Sequence, residues 1–313
     1  MFIFGNSIFH DLVAIITLLF VSLALALISK KISERMKLID YPDNSGLKIQ
    51  KKPTPLAGGF VLIGSFLVTL SLYYYFSQRD LFYLSATFVV LVFVMIAGIF
   101  DDLHRLKAKS RLILYLIFSG IFLYIFHDLI FINVLFLAIN IFLFAPGVIT
   151  AINMIDGMDG LCSGLSIISM LTFLFVGLSA GNSILVALSI AGLVGLVTFL
   201  VFNFYPAKMF LGSSGSELIG FLFFILIILS MQNTPYYYIP LRILLVGIPI
   251  IDMIRVMIIR YKNGKPIIHG DRNHIYDILL AKGFNQKKVW VIMIFGQLAF
   301  VSLVYLLTLA LAV

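Results

Sequence analysis

SILVALSIAGLVGLVTFLVFN, residues 183–203, contains no charged side chain. A membrane-crossing helix needs roughly 20 mostly apolar residues, because hydrocarbon leaves no partner for an unpaired backbone group. This stretch therefore reads as a span. Working outward, similar runs fall at about 8–29, 56–76, 82–100, 112–127, 129–150 and 161–180 before it, and 217–232, 240–259 and 289–312 after it, ten in all. The runs are continuously apolar instead of alternating, which excludes a β-barrel. Composition agrees: 62% of residues are hydrophobic and 12% charged, with a mean hydropathy of +1.12, whereas soluble chains lie near about 45–50% and 25%. The expected fold is all-α, a polytopic membrane protein forming a single transmembrane domain over residues 1–313.

Lysine and arginine set the expected orientation. Of the 22 basic residues, all but Arg79 and Arg242 fall on one side, which predicts that side to be cytoplasmic and both termini to lie outside. The net charge of +8 is mostly a product of this topology, although a basic face also suits anionic lipid and phosphate-bearing substrates. Nucleic acid is not an expected partner. In the first span the basic residues follow the apolar run and no small-residue cleavage site closes it, so it reads as a retained helix. Cys162, the lone cysteine, reads as a small packing residue. The tyrosine runs 73–75 and 236–238 read as interfacial anchors.

Four polar stretches interrupt the apolar pattern on the basic side. Residues 153–161, Asn153-Met-Ile-Asp156-Gly157-Met-Asp159-Gly160-Leu161, place acids and an amide between long apolar runs. Their oxygens suit a hard cation or a sugar-nucleotide, and the glycines permit tight turns and close ligand approach; a capped helix–helix turn is the plainer reading. Asp101 and Asp102 end the third run. Adjacent acids at a negative helix C-terminus repel unless a cation holds them, although a solvated pair balanced by Lys107, Lys109 and Arg111 would also satisfy them. Residues 203–217 lead through small residues into the eighth span, either a flexible connector or a set of amides for an anion. Between the ninth and tenth spans, His269, Asp271, Arg272 and His274 combine phosphate-binding and proton-transfer groups. Together the acidic clusters suggest divalent-metal-dependent handling of a phosphate compound.

In this order the motifs resemble the polyprenyl-phosphate N-acetylhexosamine-1-phosphate transferases, and the resemblance covers nearly the whole chain. Lys48 with residues 53–59, Asp101-Asp102 with Lys109 and Arg111, residues 153–161 as NxxDGxDGL, Asn203, residues 210–216, Asp252 and residues 271–275 carry it. The resemblance implies attack by undecaprenyl phosphate on the β-phosphate of a UDP-N-acetylhexosamine, with release of UMP, at cytoplasmic loops of a bacterial inner membrane. It further implies Mg²⁺, or Mn²⁺ in its place, held by Asp102 and Asp156. Catalytic roles would fall on Asp101, Asp102, Asp156 and His274, and substrate contacts on Lys48, Lys109, Asn153, Gly157, Asp159, Asn203, Phe210 and Arg272. A homodimer among membrane lipids is compatible with it.

The chain departs from the family pattern at several positions. Ser213 stands where members usually carry an acid that binds metal, Leu47 and Gln50 where they carry Arg and His, and Tyr276 and Asp277 where they carry two more histidines. Glu217, one helical turn beyond Ser213, is a candidate to supply the missing carboxylate. Three functions follow: an active phosphosugar transferase, a relative that binds the same ligands without turnover, and a transporter or flippase, whose ionisable residues would lie nearer the bilayer midplane.

Overall fold

The computed structural model describes residues 8–42, 50, 52–76, 80–129, 139–232, 238–267 and 271–311. Within them lie α1 (Ile8–Arg35), α2 (Gly58–Phe76), α3 (Leu81–His104), α4 (Ala108–Ile125), α5 (Ala145–Ile155) and α6 (Leu161–Ala180). The chain continues with α7 (Ser183–Asn203), α8 (Gly212–Leu229), α9 (Ile239–Leu244), α10 (Ile248–Lys262), α11 (Ile275–Ala281) and α12 (Gln286–Leu311). Among the described residues the only sheet is the antiparallel pair β1 (Ile39–Asp40) and β2 (Thr54–Pro55), with Ile39 opposite Pro55. The chain is thus an all-α polytopic membrane protein.

Among the described residues, eight helices are long and apolar enough to cross a membrane: α1 to α4, α6 to α8, and α12. Two of the ten expected spans differ. The run expected at 129–150 is described from Ile139, passes through a π-helical segment at Asn140–Phe144 and continues as α5 to Ile155. Near its end the amide of Asn153 finds a partner on a neighbouring helix, Ser216 Oγ, at 3.0 Å. The run expected at 240–259 is broken: Gly247, at φ 82°, separates α9 from α10. Gln297 of α12 fills the break, its Oε1 accepting from Ile248 N (2.7 Å) and its Nε2 donating to Val246 O (3.0 Å) and Ser169 Oγ (2.8 Å). A Cβ at position 247 would collide with that amide, so glycine is required there twice over.

At the centre stands α8, buried continuously from Ser214 to Leu229. Helices α2, α3, α5 and α7 pack around it, and a helix that is apolar on every face belongs in such a position. Gly98 of α3 lets the two backbones meet, since a Cβ there would strike Ser214 Cα. One end of the bundle is tied by Asp80 to Ser183, by Tyr73 to the Ser183 carbonyl, and by Asn182 to Gln232 (2.7 Å). The opposite end collects the acidic and basic motifs.

Candidate active site

The N-terminus of α8 organises the paired acids. Asp102 Oδ1 accepts from Ser213 N (2.7 Å) and Oδ2 from Ser214 N (3.1 Å), so two otherwise orphaned helix amides hold one carboxylate. A carboxylate offers about four acceptor sites, which leaves Asp102 capacity for a ligand. Asp101 is more fully occupied: Leu106 N donates to Oδ1 (2.8 Å), while Ser213 Oγ (2.6 Å) and Arg111 Nη1 (3.4 Å) reach Oδ2. It ties α3, α4 and α8 together. Ser213, at the position of the usual acid, spends its hydroxyl on Asp101. Glu217 accepts from Tyr115 Oη (2.7 Å) and lies 4.0 Å from Arg111 Nη1, so it supports the same basic residue.

The turn after α5 is stapled from three directions. Asn203 Oδ1 accepts from Gly160 N (3.0 Å) and Ser163 Oγ (3.2 Å), and its Nδ2 donates to Met209 O (2.9 Å). Trp290 Nε1 donates to Gly160 O (2.8 Å), and Asp159 Oδ2 accepts from Ala207 N (2.9 Å). Asp156, by contrast, accepts no hydrogen bond from a described residue. Burial, together with the negative charges of Asp102 and Asp159, pushes its carboxyl up to about 7. Burial likewise raises Asp159 despite the Ala207 amide. A carboxylate that feels two other negative charges and takes no hydrogen bond from a described residue is a poor arrangement alone and a good one for a hard cation. Among the described residues no three His, Cys, Asp or Glu side chains converge as a ligand set; Mg²⁺ commonly takes one or two carboxylates and fills the rest with water and phosphate oxygens. Asp102 and Asp156 fit that habit.

The last loop forms the other wall. Arg260 grips Asp271 with two bonds (3.2 and 3.0 Å); although burial pushes this carboxyl up, the guanidinium and Asn273 hold it at about 2. Arg272 Nε donates to Asp277 Oδ1 (3.2 Å), yet burial leaves the Asp277 carboxyl raised. Tyr276 presses its hydroxyl against Gly157, where no Cβ would fit, and burial followed by the charges of Asp277, Asp252 and Asp156 raises that phenol. A cavity of about 610 Å³ opens here. Lys109, Arg111, Arg260 and Arg272 contribute its positive side and His274 an imidazole, while Leu112, Met154, Met257 and Ile267 give it an apolar wall. Asn153 and Tyr276 border it as well; the Asn153 amide bonds Ser216 of α8, and the Tyr276 hydroxyl lies against Gly157, next to Asp156.

The structure brings Asp101, Asp102, Asn153, Asp156, Gly157, Asp159, Lys109, Arg272 and His274 to this one end. Asn203 sits there too, but its side chain holds the 156–160 turn together. Phe210 enters through its backbone, accepting from Ala57 N (3.0 Å) and Gly58 N (3.2 Å), with its ring half-buried. Gln50 donates to Asp40. Lys48, Leu47 and His269 lie outside the described residues. Sequence reading matched Arg111 to the family's paired-acid segment without giving it a site role, although it lines the cavity and contacts Asp101. It missed Trp290 altogether, because an indole 130 positions from Gly160 leaves no local pattern.

An all-helical membrane bundle with acids, bases and a cavity at one end defines a class, the polytopic membrane proteins with a charged cavity at one end of their helices. A family model described as Glycosyl transferase family 4 matches residues 83–231. The chain is 31% identical over 307 residues to a probable undecaprenyl-phosphate N-acetylglucosaminyl 1-phosphate transferase of Bacillus subtilis (strain 168), covering 94% of this chain and 84% of that relative. It is 27% identical over 281 residues to the undecaprenyl-phosphate alpha-N-acetylglucosaminyl 1-phosphate transferase of Escherichia coli (strain K12), covering 84% and 75%. A phospho-N-acetylmuramoyl-pentapeptide-transferase of Carboxydothermus hydrogenoformans is 32% identical over 202 residues, 55% of this chain and 61% of its own length. The chain belongs to glycosyl transferase family 4, the family that its motifs resemble.

Proposed function

We propose that this chain transfers N-acetylhexosamine-1-phosphate from a UDP-sugar to undecaprenyl phosphate, releasing UMP, as the first step of a bacterial cell-envelope glycan such as O-antigen, capsule or teichoic acid. The phosphate oxygen of the lipid forms a bond to the β-phosphorus while the bond to the UMP oxygen breaks. The observation that carries the reading is Asp156, which accepts no hydrogen bond from a described residue and feels the charge of Asp102, at the end of the bundle whose cavity joins five cationic or imidazole groups to an apolar wall. Such a cavity suits an anionic headgroup with a hydrocarbon tail. The names of the relatives support the same lipid and an N-acetylhexosamine.

Lys109, Arg111 and Arg272 would hold phosphate oxygens, with His274 at the cavity wall. Asn153 and Gly157 would border the nucleotide, and the α8 amides hold Asp102 in place. Mg²⁺, on Asp102 and Asp156, would offset the charge of the diphosphate and of the departing phosphate. The undecaprenyl phosphate is already anionic at neutral pH, so Asp101 need not remove a proton from it, and its three hydrogen bonds favour positioning. The basic end would face the cytoplasm of the inner membrane.

Purified chain incubated with labelled UDP-GlcNAc, undecaprenyl phosphate and Mg²⁺ should yield lipid-linked label and UMP, and chelation should stop both. Engagement of the Ser213 hydroxyl by Asp101 favours a second reading, a relative that binds these ligands without turnover. Saturable UDP-GlcNAc binding with no lipid-linked product would select it.

A further inference from the structure

Asp252 of α10 is 1% exposed, and its carboxylate is turned toward the last loop. Oδ2 lies 2.6 Å from His274 Nδ1, Oδ1 accepts from Ile275 N (3.0 Å), and Arg255 Nη1 stands 3.5 Å from Oδ1. His274 is itself buried, and its ring stacks on Tyr276 with centroids 5.4 Å apart and planes 7° from parallel. Position and ring plane are therefore both fixed. With Nδ1 committed to a carboxylate, Nε2 is the nitrogen left for a ligand. His274 is also a lining residue of the cavity, beside Lys109, Arg111 and Arg272.

We infer that Asp252 is a positioning residue, which holds Nδ1–H of His274 inward so that Nε2 addresses a phosphate oxygen in the cavity. This rests on the transferase reading of the same site. The carboxylate does two things for the ring: it fixes the tautomer, and its charge offsets positive charge on the imidazole facing an anion. Arg255 does not satisfy the carboxylate on His274's behalf, because its shorter bond goes to Asn273 O at 2.6 Å. A purely architectural role, anchoring the start of α11 through the Ile275 amide, predicts something different for one substitution. Asp252→Asn keeps an oxygen for that amide and keeps the volume, but turns a donor toward Nδ1 and removes the charge.

The test uses the whole chain as wild type, Asp252→Asn, His274→Gln and the double variant, with kcat, KM and thermal unfolding in detergent read for each. Asp252→Asn should unfold like wild type while its KM for the UDP-sugar rises and kcat/KM falls about 10²-fold. The double variant should be no slower than His274→Gln, because residues that act as a unit are not additive. Activity of Asp252→Asn within about threefold of wild type, or multiplied losses in the double variant, overturns the inference. Should Asp252→Asn not survive purification, Asp252→Ser takes its place under the same criterion of non-additivity. Absence of transfer by the wild type would defeat the transferase reading alone. UDP affinity then decides the pair: equal weakening in both single variants and the double supports it, and undiminished affinity in Asp252→Asn overturns it.

Discussion

Asp156 is the residue on which pH and metal meet. Its carboxyl is pushed up to about 7 by burial and by two neighbouring negative charges, so below that pH a proton competes with a cation for the same oxygens. The Mg²⁺ concentration for half-maximal transfer should rise about tenfold per unit as pH falls below 7 and level off above it. Metal titrations at pH 6, 7 and 8 check this, and Asp156→Asn should abolish transfer at every pH. For stability the sign is opposite to that of a salt-bridged acid. A carboxyl raised in the fold contributes stability that is complete below its unfolded value, about 4, and is lost as pH rises through about 7. Thermal unfolding without divalent cation should therefore improve on acidification, and added Mg²⁺ should recover the loss at neutral pH. The acids themselves were legible in the sequence, because two acidic clusters on one face stand out between long apolar runs. The difference between Asp101 and Asp102 was not: it comes from Leu106, Arg111 and the start of α8, which share Asp101 and cap Asp102.

At the scale of elements, the broken run around Gly247 rests on one side chain. Gln297→Leu would leave Ile248 N unpaired, at about 1–3 kcal/mol, and would take from Val246 O one of its two donors, Ser169 Oγ at 3.1 Å remaining; it should lower the unfolding midpoint in detergent by on the order of 5 °C. Gly247→Ala should be at least as harmful, through both its φ and its contact with Gln297. Hydropathy alone showed an uninterrupted span here, since Ile, Pro and Leu flank the glycine and the amide that fills the break is 50 positions away. The central place of α8 was equally hidden. In lipid every spanning helix is apolar all round, so periodicity no longer separates a buried helix from one facing hydrocarbon. Gly98 and Ser214 do hold that information, as small residues where two backbones touch, but only once the pairing of α3 with α8 is known.

For the molecule as a whole, contacts place the motif-bearing loops at one end and the Asp80–Ser183 and Asn182–Gln232 ties at the other. The charge bias that assigned the first end to the cytoplasm gives a direct prediction. In intact cells an impermeant maleimide should label Asp128→Cys and leave Lys262→Cys unmodified until the membrane is opened. The native Cys162 is fully buried and should contribute little background. The long-range order of motifs was readable because each lies at the end of an apolar run. Their convergence was not, because it depends on which helices pack together. Trp290 illustrates the benefit of that packing: it is the chain's one tryptophan, and its indole bonds directly to the Gly160 carbonyl at the base of the acidic turn. Any ligand that shifts this turn must also change the surroundings of the indole, so the protein carries an intrinsic fluorophore whose emission can follow nucleotide or cation binding without a label.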